Sequence, residues 1–263
     1  MSSKPSNLVH SIERVAKILE LVGQNSQGMG IRDLSVLLKL PKGTVHRLLS
    51  SLAYMGYIRQ DALTKNYFLG LKLLELGNLV THQIDIVNIA KPLLKKLAEQ
   101  SRETVHLATL EKNEIVYIDK LESEQNTGGL KMASRVGSRN PAYSCAMGKM
   151  LLAYLSEEVL KRLIQETKLI MRTNNTITEP GRLIEHLNIV KNQGYAIDDE
   201  ENELGIRCVA APILDAKGKP VAAISISGPA FRVTKRAIQD TLKKEVKNAA
   251  SEISYLLGFT GLD

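Results

Sequence analysis

The chain has 263 residues, 44% of them hydrophobic and 24% charged, which predicts two globular domains with sizeable cores, and no apolar run approaches the roughly 20 residues that span a bilayer. Its formal net charge is +7, and the excess is uneven: residues 1–80 hold 10 Lys and Arg against 5 Asp and Glu, the remainder 25 against 23, so a polyanion partner is expected for the first third. Two cysteines make no disulfide framework and "MSSKPSNLVHSIERV" has no apolar signal core, so a reduced, cytoplasmic protein is expected.

In chain order, Ile12, Val15, Ile18, Leu19 and Val22 recur at helical spacing, with Asn7 or Ser11 as candidate caps. After the polar loop "GQNSQGMG", "IRDLSVLLKL" predicts a short helix with Leu34, Leu37 and Leu38 inward. Pro41 then opens a third helix, "LPKGTVHRLLSSLAYMGY". Two short helices across a tight break are a helix-turn-helix pattern. At about 100° per residue, Val45, Leu48, Leu49 and Leu52 share the inner side of the third helix. Gly43, Arg47, Ser50 and Tyr54 lie opposite, flanked by Thr44, His46 and Ser51, with Lys42 in the first turn. That face offers donors and small residues and no carboxylate, as insertion into a major groove requires. The alternative is a solvated helix face. In "YIRQDALTKNYFLG" two β-rich segments flank a polar turn, and Arg59 and Lys65 are placed on or near its tip. Helix-turn-helix plus basic hairpin is a winged helix.

The next stretch, "LKLLELGNLVTHQIDIVNIAKPLLKKLAEQ", is predicted helical with an interruption near Gly77. Two strands follow in "TVHLATLEKNEIVYIDKLES", then one long helix or two broken at "LSEE" in "GKMLLAYLSEEVLKRLIQ". Thr178 is the candidate cap of "EPGRLIEHLNIVKNQG", with Pro180 in its first turn. Two apolar strands in "CVAAPILDAKGKPVAAISISGP" and a terminal helix in "TLKKEVKNAASEISYLLG" complete the order. The fold class expected is α+β: a winged helix at 7–70, a linker helix at 71–84, and a mixed domain at 85–263 with a largely antiparallel sheet.

The acidic run "AIDDEENELGIRC" invites sharper readings. As a calcium loop starting at Asp198, its sixth and twelfth positions are Glu203 and Val209 rather than Gly and Glu. Zinc-type Cys/His spacing is absent. No cofactor and no metal are therefore expected. A hydrolase with Cys208 as nucleophile would need a base, and only a distant His106 or His186 could serve. A buried core cysteine is the alternative, and Asp199 to Glu203 read as a solvated turn. Ser225 and Ser227, two apart in "AAISISG", share one strand face. They form either one wall of a pocket or a solvent-facing pair.

"SIERVAKILELV", "LPKGTVHRLLSSL", "GYIRQDALTKNYFLGLKLLELG", "PAYSCAMGKMLLAYLSEE", "NQGYAIDDEENELGIRCVAAPI" and "AAISISGP" together resemble the IclR family of bacterial transcription regulators. The resemblance covers nearly the whole chain. It implies a GAF-like C-terminal domain that binds a small organic acid, and a double-stranded operator read by homodimers, often paired as tetramers, with repression relieved by ligand the commoner behaviour. The outer face of the third helix gives Lys42, Gly43, Thr44, His46, Arg47 and Ser50 as candidate DNA contacts, and the basic hairpin adds Arg59 and Lys65. The family's effector pocket maps onto Ala146, Met147, Asp198, Cys208, Ser225 and Ser227, and backbone N–H groups from Ala146 to Gly148, at the start of an apolar helix, would suit the ligand carboxylate. Better-known acid-binding members have Gly-Ala where this chain has Ala146 and Met147. "VGSRNPAYSCAMGK" looks closest to members that regulate breakdown of hexuronates and keto-deoxy sugar acids. The rivals are the Cys208 hydrolase and a DNA-binding protein without an effector.

Overall fold

The computed structural model describes residues 9–83, 85–123 and 132–261. The chain divides into two compact units, Met1–Gln83 and Ile84–Asp263. In the first, helices α1 (His10–Gln24), α2 (Ile31–Leu38) and α3 (Lys42–Tyr54) pack around Ile18, Val22, Leu34, Val45, Leu49 and Leu52. Helix α1 begins one residue before Ser11, which lies inside it; Val9 is the N-cap and makes no side-chain cap bond. Asn7 lies outside the described residues. Leu37 is 56% exposed rather than inward, because so short a helix buries one narrow stripe, which Leu34 fills. Lys39 closes α2 in the left-handed conformation, φ 53°, its N–H reaching the Ser35 and Val36 carbonyls. That cap and Pro41 make the tight break between α2 and α3.

Strands β1 (Ile58–Gln60) and β2 (Tyr67–Leu69) pair antiparallel and form the wing. Asp61 organises its turn, accepting from the Leu63 and Thr64 N–H groups and the Thr64 hydroxyl. Helix α4 (Leu71–Gln83) follows. The expected interruption at Gly77 does not occur. Gly77 sits inside α4, exposed with no neighbour where a Cβ would be, and costs the helix about 1 kcal/mol rather than breaking it.

The second unit is a six-stranded sheet in the order β5-β4-β3-β8-β7-β6, every neighbour antiparallel. Its strands are β3 (Thr104–Glu111), β4 (Glu114–Leu121), β5 (Arg139–Pro141), β6 (Ala196–Asp199), β7 (Ile206–Leu214) and β8 (Pro220–Pro229). On one face, helices α5 (Asp85–Ser101) and α10 (Lys243–Leu256) bury Val105, Leu107, Val209, Ala211, Ile224 and Ile226. Alternation sends the intervening residues to the other face. There α6 (Ala146–Leu152) and α8 (Pro180–Gln193) cover Ala108, Ala210 and Ala223. Helix α7 (Glu157–Glu166) starts separately after α6, capped by Ser156. The cap of α8 is Glu179 rather than Thr178, its carboxylate accepting from Gly181 and Arg182. The short α9 (Lys235–Ala237) leads through a π turn, Ile238–Leu242, into α10. Among the described residues no helix is long and apolar enough to cross a membrane.

Candidate functional site

Two surfaces carry the expected residues. The first is the outer side of α3. Lys42, Gly43, His46, Arg47, Ser50 and Tyr54 are exposed there, while Thr44 is half-buried. No heavy atom of the rest of the chain lies within 4 Å of the place a Gly43 Cβ would occupy, so packing does not demand glycine there. Its effect is to keep the surface low between Lys42 and Arg47. Of the two expected positions, on the tip or near it, Arg59 takes the second. It lies within β1 opposite Phe68, its guanidinium 4.7 Å from that ring centre, not at the tip. Lys65 does sit in the turn, at φ 57°. The one acid of the turn, Asp61, is occupied by its own backbone.

The second is a cavity of about 260 Å³ on the α6 face of the sheet. Strand register builds it. Asp198 on β6 pairs with Cys208 on β7, which pairs with Ser227 on β8. One step along, Ser225 on β8 pairs with His106 on β3, which pairs with Lys120 on β4. Asp198, Cys208, Ser225, Ser227, Ala146 and Met147 all line the cavity. Ser225 and Ser227 are buried with their hydroxyls 3.2 Å apart, which excludes the solvent-facing alternative.

Gly148 does not line the cavity. A Cβ there would stand 2.2 Å from the Ala142 carbonyl oxygen, so its role is to let α6 meet the chain before it. His106, Tyr117, Ser134, Asn140 and Arg172 do line it and were not among the expected residues. The alternation of "TVHLATLE" would have put His106 on the same strand face as Thr104 and Ala108. The others arrive from separate loops and strands with no local signal.

The acidic run is not a solvated turn. Asp198 is 2% exposed, and its Oδ1 accepts from the Glu201 and Asn202 N–H groups at 2.7 and 3.3 Å. Glu201 is buried and ion-paired with Lys149 of α6, which is wholly buried. Arg207 binds Asp199 and Glu200 and also the Ala230 and Val233 carbonyls. Of its five carboxylates only Glu203 is exposed. The chain folds this way because a buried carboxylate needs a partner, and both Lys149 and Arg207 supply one.

Burial pushes Asp198 up from 3.8 to about 7, against the opposing charge of Lys149. Between those values the folded chain holds a proton that the unfolded chain has lost. The stability carried by this group is therefore full below about pH 4 and drains as pH rises to about 7. Glu201 is raised for the same reason, so it adds slope of the same sign. Asp198→Asn keeps an oxygen for the two N–H bonds and cannot ionise. The variant should show a flatter decline of urea midpoint between pH 5 and 7.5 than the parent; an identical decline would remove Asp198 as its source.

Neither cysteine is activated. Burial pushes Cys145 up to about 12 and raises Cys208 well above its ordinary value. Among the described residues His106 bonds Ser134, and no histidine bonds Cys208. The site therefore offers hydrogen bonds and shape to a bound molecule, without a nucleophile paired to a base.

Comparison with known proteins agrees with this division. Residues 11–62 match the model of the IclR helix-turn-helix domain, and residues 78–255 that of the bacterial transcriptional regulator IclR C-terminal domain. HTH-type transcriptional regulator KdgR of Escherichia coli K12 is 36% identical over 256 residues, spanning 97% of this chain and 95% of that protein. The crystal structure of Thermotoga maritima IclR superposes with a TM-score of 0.78 at 35% identity, covering 95% of this chain and 99% of that one. An IclR homologue from Microbacterium hydrocarbonoxydans, solved in complex with 4-hydroxybenzoate, gives a TM-score of 0.81 at 25% identity over 94% of this chain and 98% of that one. A helix-turn-helix unit and a cavity-bearing sheet domain, matched in order along nearly the whole chain, place this protein in the IclR family of bacterial transcriptional regulators.

Proposed function

We propose that the protein is a cytoplasmic repressor that holds a pseudo-palindromic operator as a homodimer, or as a pair of dimers, and releases it when a small hydroxylated carboxylate fills the cavity. The observation that carries this reading is the meeting of Asp198, Cys208, Ser225 and Ser227, from three neighbouring strands, in one cavity. The bound acid of the Microbacterium relative, a hydroxylated monocarboxylate, belongs to the same chemical class. Ser225 and Ser227 supply hydroxyl donors to the ligand carboxylate, with backbone N–H groups at Ala146 and Met147. Asp198, fixed through Oδ1, turns its other oxygen to a ligand hydroxyl.

On the DNA side, Lys42, Gly43, Thr44, His46, Arg47 and Ser50 face the major groove, and Arg59 and Lys65 reach the backbone. Two copies are required because one winged helix reads too few base pairs for a specific site. A ligand shifts the operator equilibrium only by its differential affinity for the two states. Calorimetry with a panel of sugar acids and plain keto acids tests the cavity. At least one should bind in the micromolar range, and Asp198→Ala with Ser225→Ala should weaken it by roughly 100-fold. Unchanged affinity in the double variant would place the ligand elsewhere.

A further inference from the structure

Beside Ser225, which pairs with His106, the cavity carries a further polar wall built from β3, β4, β5 and the segment before β5. His106 is 1% exposed, and its Nε2 lies 2.7 Å from the Ser134 hydroxyl. Its Nδ1 is buried and has no partner among the described residues. Burial, with Lys120 nearby, pushes the imidazole down to about 3, so the ring is neutral at any physiological pH. Lys120 itself bonds the Met132 and Ser134 carbonyls, which holds Ser134 over the cavity. Beside this pair, the Asn140 amide lies 3.0 Å from the Tyr117 hydroxyl. Burial raises the Tyr117 phenol, which stays protonated.

The proton inventory of both pairs is the same. If Ser134 donates to Nε2, Nδ1 keeps its hydrogen and the serine oxygen keeps a lone pair. If Nε2 donates to Ser134, the serine hydrogen is free and Nδ1 is a bare acceptor. Either tautomer leaves one donor and one acceptor. Likewise, an amide donating to Tyr117 leaves the phenol hydrogen and the amide oxygen; the reverse orientation leaves the phenol oxygen and the amide hydrogens. The two pairs therefore offer two donor–acceptor couples and no charge of their own; of the cations that also line the cavity, Arg139 is ion-paired with Glu111 and Glu114, and Arg172 bonds the Asn202 carbonyl through Nε. A hydroxyl, itself donor and acceptor, satisfies such a couple. A carboxylate, acceptor only, satisfies one half and sets its charge against the lone pairs of the other.

We propose that His106 is a specificity-determining residue, and that the His106–Ser134 and Tyr117–Asn140 pairs select the hydroxylated tail of a monocarboxylate over both an alkyl tail and a second carboxylate. This rests on the cavity being the effector site. Calorimetry of the full chain with gluconate, hexanoate and glucarate separates the two claims. Gluconate should bind at least about tenfold more tightly than either of the others. His106→Leu and Asn140→Leu should each cut gluconate affinity by about tenfold and leave hexanoate within about threefold, and His106→Gln should restore most of the preference. Equal or tighter binding of glucarate overturns the proposal while the cavity reading stands. Equal losses for gluconate and hexanoate in His106→Leu, unrescued by glutamine, reduce His106 to packing and also overturn it. Silence from all three acids removes the cavity reading and this proposal together.

Discussion

Arg47→Ala will weaken operator binding by roughly 10- to 100-fold for each subunit engaged, and will lose most of that on the correct sequence. The side chain stands exposed on α3, with Gly43 and Ser50 beside it and no acid on the helix to compete for it. A bidentate arginine–guanine contact discriminates by about 1–3 kcal/mol, and a dimer makes two of them. Because Arg47 is exposed on α3, its loss should change folding stability by less than about 0.5 kcal/mol. Arg59→Ala is the contrast. Its guanidinium is stacked on Phe68 along the wing strand, a position suited to a phosphate rather than a base. Its loss should weaken all sequences alike and lower the salt slope by roughly 0.9 for each contact removed. Gel shifts with specific and scrambled duplexes over a salt series measure both. Equal weakening on both duplexes in Arg47→Ala would make it another phosphate contact and leave base reading to its neighbours.

The winged helix was legible because its determinants are local. Helical periodicity, Pro41 and a turn-rich hairpin each act within a few residues, and the structure differs only at Leu37, Gly77 and the helix starts. Strands β3, β4, β7 and β8 were legible for the same reason. Strands β5 and β6 were not. They are short edge strands of 3 and 4 residues whose identity comes from the neighbour they pair with. The cavity was half legible. Ser225 and Ser227 announce a polar face by alternation, and the resemblance supplied Asp198 and Cys208. Gly148 was expected for its backbone N–H near a helix start, and nothing in the sequence shows that its missing side chain serves the close approach to Ala142. His106, Tyr117 and Asn140 failed because register alone brings them together, and register is not written in any one segment; Ser134 lies outside the strands and is placed by its bonds to His106 and Lys120.

The acidic run shows where sequence reasoning goes wrong in kind. Charge on a turn is normally solvated, and Lys149 reads as an ordinary residue within "GKMLLA". Each is costly to bury and only the other makes burial tolerable, so neither segment carries the signal by itself. That mutual dependence fixes the last expectation. Lys149→Met replaces the ammonium with an apolar group of similar length and leaves Glu201 and Asp198 in the core with no cation between them. Breaking a buried pair from one side costs about 3–5 kcal/mol, so the midpoint for the sheet domain should fall by roughly 10 °C. Lys149→Met with Glu201→Gln removes both charges and should recover more than half of that loss, because the penalty lies in the stranded carboxylate and not in the missing bond. Thermal unfolding of the two variants at pH 7 and pH 5 checks the cause as well as the size. Acid protonates the stranded carboxylate, so the single variant should regain ground relative to the parent at pH 5, whereas a deficit equal at both pH values would assign the loss to packing around α6.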